Sequence, residues 1–155
     1  MYGNCTSYGQ CPKGTECIGQ ACKPFCCDGN DCLGGVRTCE QITNGSMDVP
    51  GLRVCSAGCD PINPSTICGP GVACYPQPWN GKGVDHGDCF GGAGTDIGPG
   101  SCTLNSCAPG YYCQKTGECA KWCRLAIASD CTGGKTCTVF DPIAVIGGVQ
   151  YGTCM

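Results

Sequence analysis

Large apolar side chains are scarce in this chain. Leu, Ile, Val and Phe together number 23 of its 155 residues, too few to build an ordinary hydrophobic core. Charge is scarce as well: 9 Lys and Arg against 12 Asp and Glu leave a net charge of −3. That excludes the usual disordered composition, in which few apolar residues accompany high charge. No basic run exists, and the acidic balance argues against nucleic acid and anionic membrane as partners. No apolar run approaches the roughly 20 residues of a spanning helix. No stretch keeps a helical period over three turns; the best candidate, Cys119 to Ser129, makes one short helix at most. No signal peptide is visible either. Met1 is followed at once by Tyr-Gly-Asn-Cys, which reads as a processed chain or an added Met.

What the chain has is cysteine, 21 of 155, and glycine, 27. This much cysteine marks a disulfide scaffold. Crosslinks substitute for the missing core by lowering the entropy of the unfolded chain. Such bridges persist in an oxidising compartment, so a secreted or cell-surface protein is expected.

The cysteines fall into a repeat. Cys-x2-Gly-x2-Cys occurs at Cys11–Cys17, Cys68–Cys74, Cys107–Cys113 and Cys131–Cys137, and with one extra residue at Cys32–Cys39. Each turn has one Cys before it and one after it. The five four-Cys blocks are Cys5, Cys11, Cys17, Cys22; Cys26, Cys32, Cys39, Cys55; Cys59, Cys68, Cys74, Cys89; Cys102, Cys107, Cys113, Cys119; and Cys123, Cys131, Cys137, Cys154. Cys-x3-Cys steps join them at Cys22/Cys26, Cys55/Cys59 and Cys119/Cys123. Such regularity marks tandem repeats of a small stapled unit. Residues 1–89 hold three blocks (5–22, 26–55, 59–89). The Gly-rich stretch 90–101 reads as a linker or long loop. Residues 102–155 hold two more blocks (102–119, 123–154).

In the first and fourth blocks, four or five residues separate the third and fourth Cys; in the others, fourteen to sixteen do. The longer inserts carry hairpin turn signals at Thr43-Asn44-Gly45, Trp79-Asn80-Gly81 and Ile146-Gly147-Gly148. Thr138-Val139-Phe140 and Val149-Gln150-Tyr151 suit short strands. The expected fold class is small and disulfide-rich: tandem four-Cys units of short antiparallel β-hairpins and irregular loops, with little or no helix.

Five blocks of four use 20 cysteines and allow ten bridges. Each block is even, which favours pairing within blocks. Four cysteines allow three pairings. First with third and second with fourth is the expected one, since it avoids closing only the tight turn. Cys27 is left over. It sits beside Cys26 in Phe25-Cys26-Cys27-Asp28, against Trp122-Cys123-Arg124 in the fifth block, so Cys27 is read as the insertion. An odd Cys in a secreted chain points to an intermolecular bridge or a free thiol; a buried or capped thiol and a rearranged pairing stay open.

Chemistry is thin. Structural zinc prefers Cys-x2-Cys knuckles, and none is present. The single histidine lies in Asp85-His86-Gly87-Asp88; a triad with Asp85 and a distant Ser is weighed against a polar hairpin end. Asp28-Gly29-Asn30-Asp31 and Asp85/Asp88 offer oxygen ligands for calcium, or are solvated turns. No catalytic residue, cofactor or metal is assigned. Asn4-Cys5-Thr6 and Asn44-Gly45-Ser46 match the glycosylation acceptor pattern, Asn44 the better of the two. Phe25 and Trp122 each precede the first Cys of a long block and are expected to cover the junction disulfides. Tyr75, Trp79, Tyr111 and Tyr112 either pack similarly or form a binding surface. Val139 to Tyr151, the most apolar segment, is either the best-packed hairpin or a subunit contact.

The short blocks, Cys5 to Cys22 and Cys102 to Cys119, resemble EB modules and the N-terminal cysteine-rich part of Dickkopf proteins. The long blocks, such as Cys59-Asp-Pro…Cys68-Gly-Pro-Gly-Val-Ala-Cys74-Tyr-Pro…Cys89, resemble cysteine-rich tandem repeats of secreted bacterial proteins, myxobacteria among them. The resemblance covers nearly the whole chain and rests on Cys and Gly spacing; the longer inserts depart from the short modules. It implies an extracellular location and a binding or structural role.

Two functions are therefore expected to compete. One is an extracellular structural protein, a subunit of a filament, coat or matrix that associates with itself or with another extracellular protein. The other is a secreted binding module, such as a protease inhibitor or receptor ligand, with Arg37, Arg53 or Lys115 as the anchor of an exposed loop.

Overall fold

The computed structural model describes residues 3–7, 9–32, 38–44, 47–78, 84–91, 93–103 and 106–155, the side chains of 43–44, 78, 84–85 and 140–142 excepted. Among these residues the secondary structure is ten short strands and three single 3-10 turns. Each block contributes one hairpin. The pairs are β1 (Thr15–Ile18) with β2 (Ala21–Pro24), β3 (Cys39–Asn44) with β4 (Met47–Cys55), β5 (Ala73–Pro78) with β6 (Val84–Phe90), β7 (Tyr111–Cys113) with β8 (Cys119–Arg124), and β9 (Cys137–Ile146) with β10 (Val149–Cys154).

One register rule runs through all five hairpins. The third and fourth cysteines of a block stand directly opposite each other: Cys17 and Cys22, Cys39 and Cys55, Cys74 and Cys89, Cys113 and Cys119, Cys137 and Cys154. They do not bond to each other. The third takes the first and the fourth takes the second, giving Cys5–Cys17, Cys11–Cys22, Cys26–Cys39, Cys32–Cys55, Cys59–Cys74, Cys68–Cys89, Cys102–Cys113, Cys107–Cys119, Cys123–Cys137 and Cys131–Cys154. Each hairpin is thus fastened by both strands to the loop before it. The fold is the small, disulfide-rich, hairpin-based one that the spacing predicts.

Turn chemistry follows the same pattern. Gly147 and Gly148 both have positive φ, 58° and 80°, as a two-residue type I′ turn between Ile146 and Val149 requires. The turns expected at Asn44-Gly45 and Trp79-Asn80-Gly81 fall partly or wholly outside the described residues. The helix considered for Cys119 to Ser129 is absent. Residues Cys119–Arg124 are β8, followed by a 3-10 turn at Ala128–Asp130. Two flanking strands, β7 and β10, draw this segment into a sheet, and tertiary pairing overrides a weak local preference.

The hairpins do not stay separate. Three of them form a six-stranded sheet in the order β5-β6-β9-β10-β8-β7. Antiparallel pairing joins β10 to β8, and a parallel contact at Val84 and Ala144 joins β6 to β9. This sheet crosses the Gly-rich stretch. A core of Ala73, Tyr75, Trp122, Ala144, Ile146 and Tyr151 lies on one face, drawn from the third, fourth and fifth blocks. A second cluster, Ala21, Ala57, Cys59, Cys68, Val72, Cys74 and Cys89, packs the first block on the third. Sulfur and small side chains make up most of it, which is how a chain so poor in large apolar residues still has an interior.

The 90–101 stretch is glycine-rich for a reason other than flexibility. A Cβ on Gly91 would fall 1.9 Å from the Gln20 carbonyl oxygen, and one on Gly94 would fall 2.0 Å from that of Ser106. The Gly91 amide donates to the Gly19 carbonyl at 2.9 Å, and Asp96 bridges to Cys107. These glycines admit backbone at close range. The segment is a wedge between blocks as well as a connection.

Candidate functional site

Among the described residues, three of the buried ionisable side chains, Lys23, His86 and Asp88, lie where the first three blocks meet. β2 brings Lys23, β3 brings Glu40, and β6 brings His86 and Asp88. Lys23 and Asp88 form an ion pair with both side chains almost fully buried. Lys23 Nζ also lies 5.2 Å from the centre of the Phe90 ring, within cation–π range. Asp88 Oδ1 accepts from the amides of Ala57 at 3.2 Å and Cys89 at 2.9 Å. Burial raises the Asp88 carboxyl, while Lys23 pulls it down. His86 Nε2 is 2.7 Å from Glu40 Oε1. The oxygens of Asp88 are thus engaged with Lys23 and backbone amides, as in a structural tie and unlike an open calcium site. Close contact of His86 is with Glu40, a residue the sequence does not single out. The Asp85 side chain lies outside the described residues.

A second polar cluster ties the fifth block to the third. Arg124 donates through Nε and Nη2 to the two oxygens of Asp130, each at 2.7 Å, and its amide donates at 2.9 Å. These bonds hold the Asp130 carboxyl down at about 2. Tyr151 donates its hydroxyl to Asp60 Oδ1 at 3.1 Å. Burial, and next the Asp60 charge, push that hydroxyl up to about 12.

Cys27 is the free cysteine among the described residues, and it is exposed. Its amide donates to Asp31 Oδ2 at 2.6 Å, and its carbonyl accepts from Arg53 Nη1 at 3.4 Å. Asp28 caps the adjacent 3-10 turn Gly29–Asp31 by accepting from the Asn30 amide at 2.7 Å. The amides of Cys27 and Asp28 hold the Asp31 carboxyl below its usual range. This Asp-rich turn is therefore built as a capped turn. The other twenty cysteines are all bridged, so the sulfur groups that come within 4.8 Å of one another in every block are disulfide sulfurs and not thiolate ligands.

The aromatic residues divide. Trp122 is fully buried, and its ring lies 5.3 Å from that of Tyr112. Tyr75 packs against Phe90 and Tyr112 at 5.8 and 6.4 Å. Phe25, at the position matching Trp122, is 40% exposed; its backbone bridges to Val54 and donates to the Gly14 carbonyl at 3.1 Å, but its ring is not the buried cover expected of it. Trp79 lies outside the described residues. Tyr111 is half-buried on edge strand β7.

The outer face of β9 is apolar and open. Val139, Ile143 and Val145 are 46, 55 and 40% exposed, while the alternate residues Ala144 and Ile146 are buried. From Ile143 to Ile146 the strand period of 2 sends one pair to the core and the other to solvent; Val139 lies beyond a register shift in the β9–β10 pairing.

Other expected sites are placed as follows. Cys5 is bridged to Cys17, and Asn4 beside it is exposed, with its side chain near Gly71 and Gly91. Asn44 ends β3, with its side chain outside the described residues. Arg53 is exposed and its Nε lies 3.4 Å from Gln41 Oε1; Lys115 is exposed; Arg37 lies outside the described residues. An open cleft of about 550 Å³ runs between Gly98-Pro99, Gln114–Ala120 and Lys135. Sequence reading misses it because its walls come from four separate segments, Cys154-Met155 being the fourth. No described helix is long and apolar enough to cross a membrane. No family model, curated protein or solved structure matches the chain.

Proposed function

We propose that this chain is an extracellular, disulfide-stapled structural protein, a self-associating subunit of a filament, coat or matrix assembly. The observation that carries this reading is the exposed apolar row Val139, Ile143 and Val145 on β9. Apolar sheet surface of this kind favours contact with another chain. The ten bridges suit a subunit that endures outside the cell. Exposed Cys27 offers a covalent contact of the same kind. On this reading the protein is not an enzyme and works without a cofactor.

The test is sedimentation and electron microscopy of the oxidised chain across a concentration series, with and without reductant. Self-association that Ile143→Asp and Val145→Asp abolish supports the reading. A chain that stays monomeric at every concentration sinks it. A dimer that reductant or Cys27→Ser removes assigns the covalent part to Cys27.

A binding module is the second reading. Its support is the β3–β4 hairpin, which forms its own two-stranded sheet apart from the six-stranded one and displays Arg53. Inhibition of a trypsin-like protease that Arg53→Ala removes would favour it.

A further inference from the structure

His86 is the single histidine of the chain, and it is buried at the meeting point of three blocks. Among the described residues, the ionisable groups around it come from four strands. β3 supplies Glu40, 2.7 Å from Nε2. β6 itself supplies Asp88, two residues along on the same face. β2 supplies Lys23, paired with Asp88. β5 supplies Tyr75, the register partner of Asp88, whose hydroxyl burial keeps protonated. Glu40 is close enough to Asp88 to help raise the latter's carboxyl, so Lys23, Asp88 and Glu40 form one electrostatic unit, and His86 joins it through Glu40.

Charge counting decides what this unit wants. Among the described residues, two carboxylates and one ammonium leave one negative charge without a counter-charge when the imidazole is neutral. One proton on His86 balances the set. An uncompensated charge away from water is costly, and a carboxylate in contact favours the imidazolium. Burial of the ring opposes protonation, but Glu40 keeps its side chain 19% exposed and can hold its charge beside it.

We propose that His86 is a proton-binding latch: its imidazolium, paired with Glu40, fastens the β3–β4 hairpin to β6, and loss of that proton loosens the hairpin. The sign follows from linkage. A histidine whose proton is held more tightly when docked stabilises docking fully below its free value of about 6.5 and loses that contribution as pH rises through the docked value. The hairpin so held packs on the segment that displays Cys27, since the Cys26 amide donates to the Arg53 carbonyl at 3.1 Å. Alkaline conditions therefore free the part of the molecule that carries the exposed thiol.

One histidine gives one set of ring signals. Proton–nitrogen spectra of the imidazole in the intact, oxidised chain are recorded from about pH 5 to about pH 9. The wild-type ring is expected to titrate above about 6.5, and Glu40→Gln to lower that midpoint by about one unit or more. Amide exchange in β3 and β4 is expected to outrun the intrinsic pH dependence of exchange on the alkaline side, with β7 to β10 unchanged. A ring that stays neutral over the whole range overturns the proposal. So does a midpoint that Glu40→Gln leaves unmoved, even if hairpin exchange changes, because Glu40 would then act only as packing.

Discussion

Cys27 occupies in the second block the place that Arg124 occupies in the fifth. Each follows the first Cys of its block. The Cys27 amide donates to Asp31 as the Arg124 amide donates to Asp130, and each aspartate closes a 3-10 turn just before the second Cys. Cys27 is thus a substitution at a shared position, not an insertion that shifts the frame. Cys27→Arg is therefore expected to fold with all ten bridges and to change stability by no more than about 1 kcal/mol, as for an exposed ion pair. Intact mass with and without reductant, followed by thermal unfolding, checks both.

The equivalent carboxylate in the fifth block is pH-sensitive. Hydrogen bonds from Arg124 hold the Asp130 carboxyl at about 2, below the ordinary carboxylate range. Its folded value is depressed, so its contribution is present above about 4 and is lost as pH falls through about 2. Asp130→Asn is expected to cost about 1–2 kcal/mol at neutral pH and to flatten the acid-side fall in stability. Denaturant unfolding at a series of pH values measures both effects.

The Lys23–Asp88 tie spans 65 residues and is buried. Lys23→Met leaves the Asp88 charge without its partner, and breaking a buried pair in this way costs about 3–5 kcal/mol. Burial already raises the Asp88 carboxyl, so without Lys23 it becomes protonated more readily. The loss is then smallest in acid and grows as pH rises above the ordinary carboxylate range. Adding Asp88→Leu to Lys23→Met is expected to recover much of it. Unfolding of the single and double variants as a function of pH checks this; an equal loss at all pH values would exclude it.

Two glycines of the 90–101 stretch separate wedge from linker. Gly91→Ala places a Cβ 1.9 Å from the Gln20 carbonyl oxygen, whereas Gly98→Ala meets nothing within 4 Å. The first is expected to destabilise by about 1–3 kcal/mol and the second by about 0.5 kcal/mol or less. Equal effects would mean that the stretch acts as a plain spacer.

Those glycines also show which parts of the fold are legible in the chain. Hairpins and turns are local: Cys137 and Cys154 face each other because the segment between them is one β-hairpin closed at Gly147-Gly148. Cys and Gly spacing carries that information directly. What joins the blocks is not local. A single register contact, Val84 with Ala144, brings β6 to β9, and Lys23 finds Asp88 across two intervening blocks' worth of chain. Phe25 and Trp122 share one position in the repeat, yet one is exposed and the other buried, because only Trp122 has the six-stranded sheet around it. The site was partly legible for the same reason. His86 and Asp88 stand out as rare charges, but Glu40 and Lys23, which give them their chemistry, are unremarkable in sequence.

The strand order β5-β6-β9-β10-β8-β7 sets a timetable for biosynthesis. β9 and β10 follow every other strand in the chain yet lie at the middle of the sheet. During synthesis, earlier hairpins can oxidise one by one as they emerge, but β6 and β8 keep uncovered edges until the fifth block arrives between them. Completion of the sheet is an insertion at its centre, and a chain stopped short of β9 would present two open edges to its neighbours.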